Sequence, residues 1–237
     1  MKKIAYLFHG HSRTWKQCYQ SFFDNVYSEL PGDIYIHTWD TTNSLYRSCW
    51  NGGVNYEKFE GDSLKIVSEI PDFQNIYNVY KPKIFIIEPN RAPDLSILDS
   101  EKQKNDLKPA HLGTKNMLYQ SKTLFDIANT QEKYDYFFST RMDLFYKNKL
   151  TEEEKIEMFQ PKILTCSDLY MDVWMFGDEE SMKIKTDYFY NIDKYWFNQN
   201  INFFTQTYEY CLFAYLKDNK IPQRASSLKF EFIRLPI

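Results

Sequence analysis

The stretch that decides the fold is Lys3-Ile4-Ala5-Tyr6-Leu7-Phe8, which ends at His9-Gly10-His11, read together with Asp33-Ile34-Tyr35-Ile36-His37-Thr38-Trp39. Each is a short apolar run bounded by turn residues or charge, as expected of a strand covered on both faces. Between them Trp15, Tyr19, Phe22, Phe23 and Val26 recur at helical spacing, and Pro31-Gly32 closes the segment. Ser12 or Thr14 is placed to cap that helix. Strand, helix and strand within forty residues imply a parallel pair joined by a right-handed crossover.

Working outward, 83–88 reads as a third strand. Tyr134-Asp135-Tyr136-Phe137-Phe138-Ser139 reads as a fourth, running into Thr140-Arg141-Met142-Asp143-Leu144. Leu112, Tyr119, Leu124, Phe125 and Ile127-Ala128 predict a helix over 111–130. Segments 162–165 and 172–176 read as strands, Asp178 or Glu179 opens a helix after Gly177, 203–219 is a helix, and 229–235 is a last strand. Residues 40–73 and 89–109 read as long connections. No repeat is evident. The pattern predicts one α/β domain over 1–237: a Rossmann-like, mixed and mostly parallel central sheet with helical C-terminal elaborations.

Composition narrows the chemistry. The 237 residues hold only seven glycines, and no G-x-G-x-x-G or G-x-x-x-x-G-K-[ST] loop can be built from them. Phe (19), Tyr (19) and Trp (5) are abundant beside Lys, Asn and Ile, a mixture that reads first as the codon bias of an A+T-rich genome. The same bias makes arginine scarce, so each one that persists is a candidate for its fork geometry. A net charge of −3 argues against nucleic acid as a partner. Cys18, Cys49, Cys166 and Cys211 form no C-x-x-C pair and read as free thiols in a reducing compartment. The run after Met1 is too short for a signal-peptide core, and a cytoplasmic location is expected.

In open α/β sheets ligands sit beyond the carboxyl ends of the strands. The first such end is His9-Gly10-His11-Ser12-Arg13. Gly10 permits close backbone approach, the following helix start favours anions, and Arg13 suits phosphate. The second is Arg141-Met142-Asp143, where Asp143 suits a divalent metal bridging a diphosphate and Arg141 could neutralise phosphates directly, with an Arg–Asp surface pair as the plainer reading. On the preceding helix, Tyr119 and Gln120 are candidates for a base or ribose and Lys122 for a phosphate, with core packing and a solvated charge as the plainer readings. Asp168, Asp172 and Glu209 are the acids available as a general base, Asp172 first. Trp174 could stack on a sugar face or sit in the core. His9, His11 and His37 have a zinc-like ligand count, but packing of a phosphate loop explains them better.

These segments, in this order and spacing, resemble the bacterial GT-A glycosyltransferases of surface-polysaccharide (capsule or lipopolysaccharide) assembly. The resemblance rests on Ile4–Thr14, Asp33–Asp40, Tyr134–Leu144 and Asp172-Val173-Trp174-Met175-Phe176-Gly177 with Met182, and thins towards the helix around Glu209. It implies a nucleotide-binding half (1–145) and an acceptor-side half (146–237). Donor binding would fall to His9, Gly10, His11, Arg13, Asp40, Tyr119, Gln120 and Lys122, and catalysis to Asp172, Glu209 and Arg141. Asp143 would be the ligand of Mn or Mg. The first Asp of the family's D-x-D is Arg141 here, which puts the metal in question. The donor would be a nucleotide sugar and the acceptor a saccharide, free or lipid-linked, with peripheral contact at the inner membrane face. The same loops would serve a nucleotide-dependent transferase of a phosphoryl-type group, and a non-catalytic saccharide-binding protein is the third reading.

Overall fold

The computed structural model describes residues 2–41, 70–89, 109–168, 171–196 and 208–233. Strand β1 (Ile4–Gly10) is followed by helix α1 (Trp15–Phe22), a π-turn at Phe23–Tyr27 and strand β2 (Asp33–Trp39). Next come α2 (Phe73–Tyr80), β3 (Ile84–Glu88), α3 (Pro109–Gln131), β4 (Tyr136–Thr140), β5 (Leu144–Tyr146) and α4 (Glu152–Met158). The remainder is β6 (Leu164–Asp168), β7 (Met171–Asp178), α5 (Glu179–Asp187), α6 (Ile192–Trp196), α7 (Tyr208–Asp218), β8 (Gln223–Ala225) and β9 (Phe230–Phe232).

Seven strands form one mixed sheet in the order β3-β2-β1-β4-β7-β6-β8. β1 runs parallel to β2 on one side and to β4 on the other, and β2 parallel to β3. β7 is antiparallel to both β4 and β6, and β6 is parallel to β8. This is the expected α/β architecture with a mixed, mostly parallel sheet. The last strand, β9, departs from expectation: it leaves the main sheet and pairs antiparallel with β5 in a separate ribbon.

The two-residue period of each strand sorts side chains into two cores. Ala5, Leu7 and Phe137 face a cluster built from α3, α5, α6 and α7, including Leu118, Phe125, Met182, Tyr195 and Leu212. Ile4, Tyr6, Phe8 and Phe138 face the opposite cluster, built from α1, α2, α4 and β5, including Phe22, Tyr80, Tyr146 and Met158. The second core is an aromatic lattice. Tyr6 and Phe8 meet Phe22 edge-on at 5.1 and 4.9 Å, and Phe138 stacks on Trp174 at 5.1 Å. The aromatic residues carry the packing of this core. Edge-to-face and offset pairs of this kind add stability beyond the area they bury.

Local sequence accounts for most boundaries. Asp178 caps α5, its carboxylate accepting from Ser181 N at 2.9 Å, and Asp72 caps α2 in the same way through Asn75 N. The cap expected for α1 is different: Thr14 holds the N-cap position, but its hydroxyl donates to the Ile233 carbonyl at 2.5 Å. The short elements α2, α4, α6, β5 and β8 carry patterns too brief to read from sequence. The two predicted connections lie mostly outside the described residues. Cys18, Cys166 and Cys211 are buried free thiols, while Cys49 lies outside the described residues.

Gly32 enters β2 against the start of β1. A Cβ there would stand 2.5 Å from the Ile4 carbonyl oxygen, so a side chain must push the two strands apart. Gly32→Ala should cost about 1–3 kcal/mol by overpacking, read as a lower melting temperature with unchanged far-ultraviolet circular dichroism.

Candidate functional site

The chain leaves β1 to build β2 and β3 on one side and returns to place β4 on the other. The carboxyl ends of β1 and β4 therefore flank the topological switch point of the sheet, where open α/β folds leave a crevice for ligand. Both sequence-predicted loops lie there. Gly10 ends β1 at φ +98°, a left-handed value that suits glycine, and its amide donates to Gln120 Oε1 at 2.8 Å.

On the α3 side of the sheet the site is a buried polar chain. His9 follows the parity of Ala5 and Leu7, and its Nε2 lies 3.0 Å from Ser139 Oγ. Lys185, on α5 and 1 % exposed, donates to Ser139 Oγ at 3.1 Å and to Ser121 Oγ at 3.0 Å. Burial holds the His9 pKa well below that of free imidazole, and the charges of Lys185 and Arg141 push the same way. His37, paired in register with His9 across β1 and β2, sits 3.4 Å from Glu88 Oε2. Its pKa is lowered by burial, against the pull of Glu88. His11 holds the Thr41 carbonyl at 3.1 Å. Its pKa falls to about 3, through burial and then the Arg13 charge. The three imidazoles are therefore neutral at neutral pH.

On the opposite side, Arg141 grips Asp143. Its Nε donates to Oδ1 at 2.8 Å and its Nη2 to Oδ2 at 2.6 Å, a fork-to-fork pair. The guanidinium stands 5.1 Å over the Phe232 ring. Asp143 is 1 % exposed. Burial would raise its pKa, but the charge and hydrogen bonds of Arg141, with the Arg13 charge, outweigh that and hold it below the ordinary carboxylate value. Ile233 N donates to the Asp143 carbonyl at 3.2 Å, so the segment after β9 is tied to this loop.

The other sequence candidates divide. Tyr119 reaches Glu88 Oε1 at 3.2 Å and edges the His37 ring at 5.8 Å, so it lines the same end of the sheet. Asp40 follows β2, its amide donating to the Glu88 carbonyl at 2.8 Å. Lys122 points elsewhere: it is 9 % exposed, bridges Asp126 at 2.5 Å and Asp187 at 3.2 Å, and so ties α3 to α5. The plainer reading of a charge held on the protein surface thus becomes an interhelix tie. Glu209 lies in the first turn of α7, on the helix-packed face. Trp174 is wholly buried against Phe138. The backbone of Asp172 stands beyond the end of β4, because Ser139 pairs with Met175 in antiparallel register. The side chains of Asp172, Asp168 and His111 lie outside the described residues.

Both oxygens of Asp143 accept from Arg141, so a cation at this carboxylate would share it with the guanidinium. Among the described residues, no three His, Cys, Asp or Glu side chains converge to hold an ion. Sequence reading missed Ser121, Ser139 and Lys185. One signal was available: Lys185 falls on the stripe of Met182 and Thr186, where a helix turns its buried face inward.

No protein-family model matches the chain, and no curated protein matches it significantly.

Removing the guanidinium would strand a buried carboxylate. Arg141→Ala should destabilise the fold by about 3 kcal/mol, the low end for a broken buried pair, because Arg141 is itself partly exposed. The pH dependence should change too. With its folded pKa depressed, Asp143 contributes stability above the ordinary carboxylate range, and that contribution is lost as pH falls through it. In Arg141→Ala, burial is opposed only by the Arg13 charge and a backbone hydrogen bond, so the folded pKa rises and the contribution shrinks. Melting curves between neutral and acid pH should show the wild type losing more of its stability on acidification than the variant.

Proposed function

We propose that the chain is a glycosyltransferase of bacterial surface-polysaccharide assembly, moving a sugar from a nucleotide-diphosphate donor to a saccharide acceptor. The observation that carries this reading is the meeting, at the β1/β4 switch point, of Gly10, a group of neutral buried imidazoles and the arginines of both loops. The family resemblance supports it by supplying the order of the segments. In this reading the GT-A form of the fold binds the donor through His9, Gly10, His11, Arg13, Asp40, Tyr119 and Gln120.

The departing diphosphate carries the charge that the site must stabilise. Positive groups already oriented before reaction do this at least cost in reorganisation. Asp143 orients Arg141 by gripping both edges of its fork, and Phe232 supports the planar group from one face. Arg141, with Arg13 across the cleft, would then stabilise the leaving group where relatives with D-x-D use a cation. The sugar carbon passes through an oxocarbenium-like state, as in glycoside hydrolysis. Asp172 is the proposed general base towards the acceptor hydroxyl, since its strand begins at the same end of the sheet as Arg141. Glu209 would serve only if the acceptor reaches the α7 face. Among the described residues no helix is long and apolar enough to cross a membrane. A lipid-linked acceptor would therefore be met by peripheral contact.

A thermal-shift panel of UDP, GDP, CDP and CMP, with and without Mn²⁺ and chelator, tests this. A nucleotide at about a hundred times its dissociation constant should stabilise the protein by about 2.7 kcal/mol, and the shift should survive chelator. No shift with any of the four would sink the proposal. With a binding nucleotide in hand, Arg141→Lys should reduce donor turnover by at least about tenfold, because a point charge cannot reproduce the fork. Mass analysis of the product separates transfer of a sugar from transfer of a phosphoryl group.

A further inference from the structure

The buried chain behind His9 has a consequence for what the cleft can recognise. An ammonium group has only protons to give, so Lys185 donates to both Ser139 Oγ and Ser121 Oγ. Ser139 then has one proton to place. Two acceptors are in reach: His9 Nε2 at 3.0 Å and Ser121 Oγ at 3.4 Å. The imidazole nitrogen is nearer, and the Ser121 oxygen already accepts from Lys185. Ser139 therefore donates to His9 Nε2, and a neutral ring with an unprotonated Nε2 carries its proton on Nδ1. That Nδ1 is buried without a hydrogen-bond partner.

Gln120 repeats the arrangement from the neighbouring helix. Its Oε1 accepts from Gly10 N at 2.8 Å, which fixes the orientation of the amide. Its Nε2 is left buried and without a partner, in a side chain that is wholly inaccessible. Buried polar atoms are nearly always paired, and two orphans on residues joined through the Gly10 amide mark a place where a ligand completes the bonding.

We infer that Lys185 and Ser139 fix His9 as the Nδ1–H tautomer, and that this N–H and the Gln120 amide form a two-donor patch for a pair of unprotonated acceptor atoms on the ligand. The ligand part rests on the nucleotide reading of the cleft; the tautomer does not. Three parts of a nucleotide offer such a pair: the N3 and O2 edge of cytosine, the N7 and O6 edge of guanine, and two phosphate oxygens. Uracil places an N–H between its carbonyls and mismatches. Lys185 and Ser139 are positioning residues here, since they act on the ligand only through His9. The other groups whose charge bears on His9 are Arg141 and His37.

Long-range proton–nitrogen correlation spectra of the ligand-free, ¹⁵N-labelled protein test the tautomer directly, with His9 assigned from the His9→Gln variant. The expected result is a single Nδ1–H ring across about pH 6–8. An Nε2–H ring or an imidazolium overturns the assignment. Ser139→Ala and Lys185→Met, each first shown to melt cooperatively, should lose that single tautomer; retention in both removes Lys185 and Ser139 from the account. Cytidine, guanosine, uridine and pyrophosphate are then titrated into wild type and Gln120→Glu, which keeps the acceptor for Gly10 N and deletes the donor. The variant should bind at least tenfold more weakly whichever of cytidine, guanosine or pyrophosphate binds the wild type. Cytidine or guanosine bound and uridine rejected assigns that base edge, and pyrophosphate bound assigns the phosphate oxygens. Equal affinity in the variant, or no binding of any of the three probes at millimolar concentration, overturns the patch. A nucleotide thermal shift that persists in that case leaves the nucleotide reading standing.

Discussion

Everything at the candidate site depends on β1 being enclosed on all four sides. It is hydrogen-bonded to parallel strands on both edges and covered by a core on each face, so Ile4 to Phe8 are at most 2 % exposed. A strand held this way cannot slip by one residue, because each side chain would then face the wrong core. That register fixes which side of the sheet His9 occupies, and it fixes Ser139 beside it through the pairing of Leu7 with Ser139. The polar groups at the carboxyl ends inherit their positions from hydrophobic ones a few residues earlier.

The sheet also divides the charges of the crevice. On the α3 side, the buried ammonium of Lys185 is spread over two hydroxyls that touch a neutral imidazole. On the ribbon side, the guanidinium of Arg141 is locked to a buried carboxylate. The first gives a cation held by two hydroxyls. The second gives a cation whose orientation is set by a carboxylate. An electrostatic field built this way is fixed before any ligand arrives, which is what preorganisation requires of a site that must stabilise developing charge.

Much of this was legible in the sequence. The long, strongly patterned segments, β1, β2, β4, α3 and α5, announce themselves by runs, periods and caps. His9, Gly10, Arg13, Arg141 and Asp143 stand out because they interrupt apolar strands at their ends. What stayed hidden has two causes. Short elements such as α4 and β5 carry too few residues for a period to show, and their existence depends on tertiary partners: β5 on β9, and α4 on Arg224, Ser226 and Ser227, which hold Glu154. Pairings distant in the chain were equally invisible. Nothing local to Lys122 foretells Asp187, and nothing local to Lys185 foretells Ser121 and Ser139.

The ribbon of β5 and β9 joins residues 144–146 to 230–232, and Thr14 and the Asp143 loop are both tied to Ile233. Phe232, from the same strand, lies beneath the guanidinium. During synthesis, the β1–β4 core can assemble from residues already outside the ribosome, yet one wall of the crevice waits for a strand made some eighty residues after its partner. Contacts of such separation are slow to form because chain closure must be achieved first. The sheet and the crevice are thus temporally distinct products of one chain. The guanidinium and its buried carboxylate are synthesised early but gain their cover last.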